Sequence, residues 1–394
     1  MLSFQNAIDT VRSLASSFGT ESVHIDDALG RILAENISAD RDYPPFNRCS
    51  MDGYAIRKED FDAGTRNFEV VETIYAGQTS KTTLQKNQCY KIMTGAAVPL
   101  SANAVIRRED CLESARKVEI QAEICLTSQN IATKGQDIKE STPVLSIGDI
   151  CSTPIVSLLA TLGKEYVIVN KQPKIAVFTT GDEVVEVGKP VSEVQIRNSN
   201  GHLLKALLKE RNISPKLYKH VADNKEDFKK AFTEALYYDV IITSGGVSAG
   251  DADFLPEVFE ELNIKKVFHK TAIKPGKPIW VGKMQNGGTV FALPGNPFST
   301  LVTFRLFVDL FLKLSSGISP ITNQKSFHGV RSKLTNLDEF FPVNINEENN
   351  CLEPIAINGS GDIRLGLNAD AIAHHPAETL TIESGTKLSY YRLK

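Results

Sequence analysis

The chain has 394 residues, 42% hydrophobic and 23% charged, with a formal net charge of −3. That is enough chain for about two to four domains with proper cores, in a soluble globular class, and it leaves no general reason to expect nucleic-acid binding, so any anion site must be local. The six cysteines (Cys49, Cys89, Cys111, Cys125, Cys151, Cys351) are scattered without a C-x-x-C pair, which argues for reduced thiols in a cytoplasm and against zinc or a disulfide framework.

The spacing predicts a helix over 3–18, capped by Ser3 and stopped by Gly19, with Ala7, Ile8, Val11, Leu14, Ala15 and Phe18 on one face. Asp9 and Arg12 in that pattern argue against a signal peptide. From about 68 to 125 the pattern becomes short strands with turns, FEVVETIYAGQ, CYKIMTG, NAVIRRED and KVEIQAEI, an all-β insertion. Residues 143–169 are mixed, and Pro173 marks a junction.

Over 171–317 strand and helix alternate. KIAVFTTG is a strand; Asn198 or Ser199 caps a helix over 200–211; PKLYKHVAD is a strand. Asn224 opens a helix with an apolar stripe of Phe228, Ala231, Phe232, Ala235 and Leu236. DVIITSGG is a strand followed by a helix, and GTVFALPG leads into a long helix capped at Asn296, with Pro297 at its first turn, ending at Gly317. This alternation implies a parallel sheet with helices on both faces and ligands at the carboxyl ends of its strands. The loops TTGDE, SGGVSAGDAD and LPGNPFS should therefore converge. The stretch 298–314 is broken by Arg305, Asp309 and Lys313 and is no membrane span, which needs about 20 mostly apolar residues. Residues 318–394 turn β-like again, a barrel or sandwich of roughly 75 residues.

Several residues suit anion and metal chemistry. Ser244, Gly245, Gly246, Ser248 and Gly250 form a glycine-rich turn between strand and helix, where backbone N–H groups can approach an anion. Asp251 and Asp253 add hard oxygen ligands suited to Mg2+, although Asp253 could equally cap the next helix. Asp182 and Glu183 at a strand end suit a metal or a ligand hydroxyl, or are a helix N-terminal charge pair. Lys274 and Lys277 flank a Pro-Gly turn that directs two ammonium groups into one compact loop; the bland alternative is two solvated lysines. Ser299 and the free N–H groups of its helical turn can bind an oxyanion, or the hydroxyl satisfies its own backbone. Pro294 and Pro297 shape the loop. Asp52 sits beside Gly53, which permits an unusual backbone angle, and an Asx-turn would explain the pair as well. His374 and His375 lie on an alternating strand, one inward and one outward, in structural roles.

PPFNRCSMDGYAI, KIMTGAAVP, TTGDEVVEVG, SGGVSAGDADF, IKPGKPIWVG and LPGNPFSTLVTF occur in order along nearly the whole chain. Together they resemble the molybdopterin molybdenumtransferase (MoeA) family, and also the C-terminal enzymatic part of gephyrin. The resemblance implies a multidomain α/β fold: a mixed N-terminal domain (1–24, 41–53 and 130–170), a β-rich insertion (25–40 and 54–129), a doubly wound molybdopterin-binding domain (171–317) and a C-terminal β-barrel (318–394). It implies an elongated homodimer whose cleft joins the last two domains of one subunit to the first two of its partner. The implied reaction takes adenylylated molybdopterin and molybdate to molybdenum cofactor and AMP, with Mg2+, in the cytoplasm, between an upstream adenylyltransferase and downstream molybdoenzymes.

Carried over residue by residue, the resemblance makes Asp52, Glu183, Lys274 and Lys277 catalytic, with Asp52 reaching the partner's cleft and the lysines holding molybdate. It places Thr94, Asp137, Asp182, Ser244, Gly245, Gly246, Ser248, Pro294, Pro297, Ser299 and Ser360 on substrate, and Asp251 and Asp253 on metal. Thr94 and Asp137 are also ordinary turn residues, and Ser360 in GSGDI is equally a hairpin turn. There are departures. The segment LDEFFPV (337–343) lacks the arginine that relatives carry, leaving Arg331 or Arg364 as substitutes. ATKGQD (132–137) keeps only Lys134 where relatives are arginine-rich, and Ser101-Ala102-Asn103 replaces G-A-D. Two other functions compete. An adenylyltransferase would need only about 171–317, and a non-catalytic scaffold could share the fold. The flanking segments oppose the first, and Asp52, Lys274, Lys277 and Ser299 oppose the second.

Overall fold

The computed structural model describes residues 1–247, 255–362, 364 and 368–393. It divides into two compact units, one of Met1–Val23, Ala28–Ile32 and Ile168–Lys394, the other of His24–Asp27 and Leu33–Val167.

The first unit is built on a six-stranded sheet in the order Leu217–Val221, Ile175–Thr180, Val240–Ser244, Thr289–Leu293, Trp280–Lys283, Lys265–His269. The first four strands are parallel, as the alternation implies. The last two run antiparallel, which the expectation of a parallel sheet did not include. They are the two arms of the segment that carries Lys274 and Lys277. IAVFTT, VIITS and TVFAL are buried at every position, as strands covered on both faces must be. Successive side chains go to opposite faces. Ile175, Val177, Val240, Ile242, Phe291 and Leu293 join one apolar cluster, with Leu204, Leu208, Phe304 and Phe307 from helices. Ala176, Phe178, Ile241, Val290 and Ala292 join the other, with Phe228, Phe232 and Phe259.

Two helix expectations need correction. Ser3 caps the first helix, its hydroxyl accepting the Asn6 amide, but the helix is Phe4–Leu14 and Ala15 is already extended. Ala15 and Phe18 still pack on the core outside the helix, so the apolar period outlasts the helix. The long helix from Pro297 has a π-helical segment, Phe304–Val308, between Pro297–Thr303 and Asp309–Ser315. Asn296 occupies its N-cap position without a capping bond; its side-chain amide donates instead to the Ser360 hydroxyl (3.0 Å).

Asp338–Asn346, Cys351–Pro354, Asn323–Phe327, Lys387–Arg392 and Ala371–His375 form a closed barrel, because Ala371–His375 pairs back onto Asp338–Asn346. Phe327, Phe341, Val343, Leu352, Ala373 and Leu388 are part of its apolar filling. The short strand Ile273–Lys274 pairs parallel with Asp338 and Glu339, which ties the lysine loop to the barrel.

The second unit holds a six-stranded sheet in the order Ala104–Arg107, Gly53–Ile56, Gln88–Ile92, Asn67–Ile74, Lys117–Ile120, Cys111–Ser114. Gly53 does not adopt the unusual backbone angle that a glycine permits. A Cβ there would lie 1.9 Å from the Ile106 carbonyl oxygen, so glycine is required by the close approach of the neighbouring strand. None of the six cysteines is in a disulfide. Among the described residues, no helix is long and apolar enough to cross a membrane.

Candidate functional site

A cavity of about 1140 Å³ opens at the carboxyl ends of the parallel strands of the first unit. Four sources line it: the strand-end loops, the first turn of Ser199–Lys209, the lysine loop and one side of the barrel.

The loops meet through tight backbone contact. Gly245 has φ +99°, and a Cβ there would fall 2.3 Å from the Thr180 hydroxyl; Gly246 has φ +69° and would press on Leu255. The Ser244 hydroxyl is buried and already engaged. It donates to the Pro294 carbonyl (3.2 Å), accepts from the Asn200 amide (2.9 Å) and lies 3.2 Å from the Thr300 hydroxyl. Asn200 also donates to the Gly295 carbonyl, so one side chain pins both loops. Its Oδ1 is buried without a hydrogen-bond partner in a residue that lines the cavity.

Charges of both signs line the wall. Glu183 and Asp223 line the cavity, and Asp182 beside them accepts the Asp223 amide (3.0 Å) without being a lining residue. Burial first, then the charges of Asp182 and Glu183, push the Asp223 carboxyl above its ordinary value. Lys274, Lys277 and Arg331 contribute positive charge to the lining. Lys274 donates to Glu339 (3.3 Å), which also accepts from Arg331 (2.7 Å) and the Thr335 hydroxyl (2.8 Å). Ser299 lines the same space and is only 5% exposed, and Pro294 and Pro297 lie beside it. Ser360 also lines it: its hydroxyl accepts from Asn296 and its carbonyl from the Phe298 amide, which holds the barrel loop against the helix start.

The second unit holds the other marked residues. One oxygen of Asp52 accepts both the Thr94 amide (2.7 Å) and the Thr94 hydroxyl (2.7 Å). Those two bonds, the amide first, hold the Asp52 carboxyl below its ordinary value. Asp137 is exposed and its amide donates to the Tyr43 carbonyl (2.9 Å). Ser248, Asp251 and Asp253 lie outside the described residues. Among the described residues, no group of three or more His, Cys, Asp or Glu side chains is placed to hold a metal.

Residues 2–163 match the MoeA N-terminal region (domain I and II), and residues 176–313 match a probable molybdopterin binding domain. The molybdopterin molybdenumtransferase of Staphylococcus epidermidis is 32% identical, over 98% of this chain and 94% of that protein. That of Synechocystis is 30% identical, over 99% and 100%. The crystal structure of the molybdopterin biosynthesis MoeA protein from Pyrococcus horikoshii superposes with a TM-score of 0.83 at 30% identity, covering 100% of this chain and 99% of that one. The chain belongs to the molybdopterin molybdenumtransferase family. It is a transferase of molybdenum cofactor biosynthesis.

For a molybdopterin molybdenumtransferase, the cavity gathers most of what the motifs marked in the first unit: Glu183, Ser244, Gly245, Gly246, Lys274, Lys277, Pro294, Pro297, Ser299 and Ser360. It omits Asp182 and adds Asn200, Asp223 and Glu339, which sequence reasoning missed. Asn200 reads as an ordinary first-turn residue and Asp223 as the residue before a cap. Only the meeting of strand ends gives them a shared space. Of the two arginines offered as substitutes, Arg331 lines the cavity, whereas Arg364 does not and is paired with Asp362 (2.9 Å).

Proposed function

We propose that this transferase moves molybdate onto adenylylated molybdopterin and releases AMP in a Mg2+-dependent step. One observation carries the reading: two cationic turns and three strand-end loops, distant in sequence, line a single cavity of nucleotide size. The reactants are anions, so positioning and charge neutralisation do most of the catalytic work. Lys274, Lys277 and Arg331 hold the tetrahedral oxyanion, with Ser299 and Ser360 donating hydroxyls. The glycine loop Ser244–Gly246 lets the pterin-nucleotide approach the backbone. Asp52 reaches the cleft from the second subunit of a homodimer, anchored by Thr94.

Glu183 and Asp223 suit Mg2+, a hard cation that binds through one or two carboxylates together with substrate phosphates. The raised Asp223 carboxyl, crowded by Asp182 and Glu183, is chemistry that a cation relieves. When bound, Mg2+ neutralises phosphate charge and polarises the P–O bond. Asp251 and Asp253 remain part of this metal assignment. The four-part domain division, a cytoplasmic location in keeping with cysteines outside any disulfide, and hand-over between an adenylyltransferase and molybdoenzymes complete the reading.

The test is direct. Pure protein, adenylylated molybdopterin, Mg2+ and molybdate should give AMP in proportion to molybdate. Pyrophosphate release from ATP and molybdopterin, without any molybdate requirement, would favour the adenylyltransferase; neither product would favour a scaffold.

A further inference from the structure

The short strand Arg331–Ser332, paired with Thr381–Ile382 and bonded to the barrel, presents a guanidinium to the cavity, and that group is held on two sides. Arg331 Nη1 lies 2.6 Å from His375 Nδ1, and Nη2 donates to Glu339 Oε2 at 2.7 Å. Its guanidinium carbon sits 4.3 Å from the centre of the Phe341 ring, a cation–π distance. His375 is 0% exposed. Its Nε2 is 2.7 Å from the Thr379 carbonyl, which can only accept. The proton is therefore on Nε2, and Nδ1 is left as a bare acceptor for Arg331. His375 and Glu339 face each other across paired strands, so both clamps belong to one rigid piece of barrel.

Glu339 also joins the two cationic turns. The carboxylate that holds Arg331 accepts from Lys274 at 3.3 Å, and the strands of Lys274 and Glu339 are in register. The spacing of the lysine and the arginine is thus set by one buried side chain. A guanidinium has five N–H donors in a planar fork. His375 and Glu339 take one each, so the rest are available to an oxyanion on the cavity side. Lys274, Lys277 and Arg331 less Glu339 leave an excess of positive charge in this part of the wall.

We propose that Arg331, oriented by His375 and Glu339, is the barrel's oxyanion contact in this chain, and that His375 is its positioning residue. The proposal rests on the molybdate-transfer reading above and assigns the residue that meets the oxyanion from the barrel side. It also accounts for a chain that carries no arginine in 337–343.

The experiment measures KM for molybdate and for adenylylated molybdopterin separately, with molybdate binding by equilibrium dialysis as a readout independent of turnover. Arg331→Ala should raise the molybdate KM about ten-fold or more, the scale of a lost charge-assisted hydrogen bond, and leave the pterin-nucleotide KM within about two-fold. Arg331→Lys should not restore it, because a point charge cannot reach His375, Glu339 and an anion together. His375→Leu should raise the molybdate KM several-fold with kcat at saturating molybdate little changed. His375→Gln, which keeps a donor and an acceptor, should give a smaller rise and serves as the readout if the leucine variant fails to fold. Exposed Arg392→Ala is the control for barrel charge.

If wild type turns over and Arg331→Ala binds and uses molybdate normally, the arginine assignment is wrong. Unchanged molybdate KM in both histidine variants removes the positioning role. A wild type that neither binds molybdate nor releases AMP overturns the functional reading beneath the proposal instead.

Discussion

Asp52 and Gly53 are neighbours with separable jobs. Gly53 is structural: a Cβ would enter the Ile106 carbonyl at 1.9 Å, and backbone on both sides cannot yield. Gly53→Ala should destabilise the protein by about 2 kcal/mol or more, read as a lower denaturant midpoint. Asp52→Ala, which loses the two Thr94 bonds of an exposed carboxylate, should lower that midpoint less than Gly53→Ala and cut molybdate-dependent AMP release by about a hundred-fold or more. The Asp52 carboxyl is held below its ordinary value by the Thr94 amide and then by the Thr94 hydroxyl. An essential ionised carboxylate of lowered pKa keeps activity down to that lowered pKa and loses it as pH falls through it. Thr94→Ala removes the hydroxyl bond and raises the pKa, so the acid limb of the pH–rate profile should move to higher pH. An unmoved limb would mean that Asp52 ionisation does not control the rate. The strings SMDGY and MTGA mark these residues in the sequence. Their contact is a pairing of loops 42 residues apart, which no local pattern encodes.

Local physics is legible where an element is decided by its own residues. The strands buried on both faces read as unbroken apolar runs, and the Asn224 and Ser3 caps appear as the spacing requires. It fails where a distant partner decides. The Asn296 side chain leaves its helix for Ser360, and the long helix takes a π-helical segment before Asp309. Asp309 is itself set by tertiary contact. It is 4% exposed and accepts a two-pronged pair from Arg211 (2.6 and 3.0 Å), with Lys313 at 3.0 Å. Burial disfavours its charge, but the Arg211 bond and the charges of Arg211 and Lys313 outweigh that and lower its pKa. A group with a lowered folded pKa contributes fully above its unfolded value and loses the contribution as pH falls through the folded one. Asp309→Ala strands the partly buried Arg211 and should cost about 3–5 kcal/mol near neutrality. The difference from wild type should shrink in acid below the ordinary Asp range. A constant difference between pH 7 and pH 3 would show that lost packing, not the ion pair, sets the cost.

At the scale of the molecule, the cavity belongs wholly to the first unit and the Asp52–Thr94 pair to the second. Barrel closure and the lysine–barrel pairing depend on register between residues about 28 to 65 positions apart, which alternation alone does not specify. The proposed homodimer makes a sharp prediction from this division. If each cleft takes its cavity from one subunit and Asp52 from the other, Asp52→Ala and Lys277→Ala variants are each inactive. Co-assembled at equal amounts, half of the dimers are mixed, and each mixed dimer has one cleft carrying both defects and one carrying neither. Activity should then return to about a quarter of wild type, by the statistics of two-fold assembly. If instead cavity and Asp52 come from the same chain, every cleft in the mixture carries a defect and nothing returns. Subunit exchange followed by AMP release therefore decides which chain contributes the carboxylate, whether or not the oxyanion assignment of Arg331 holds.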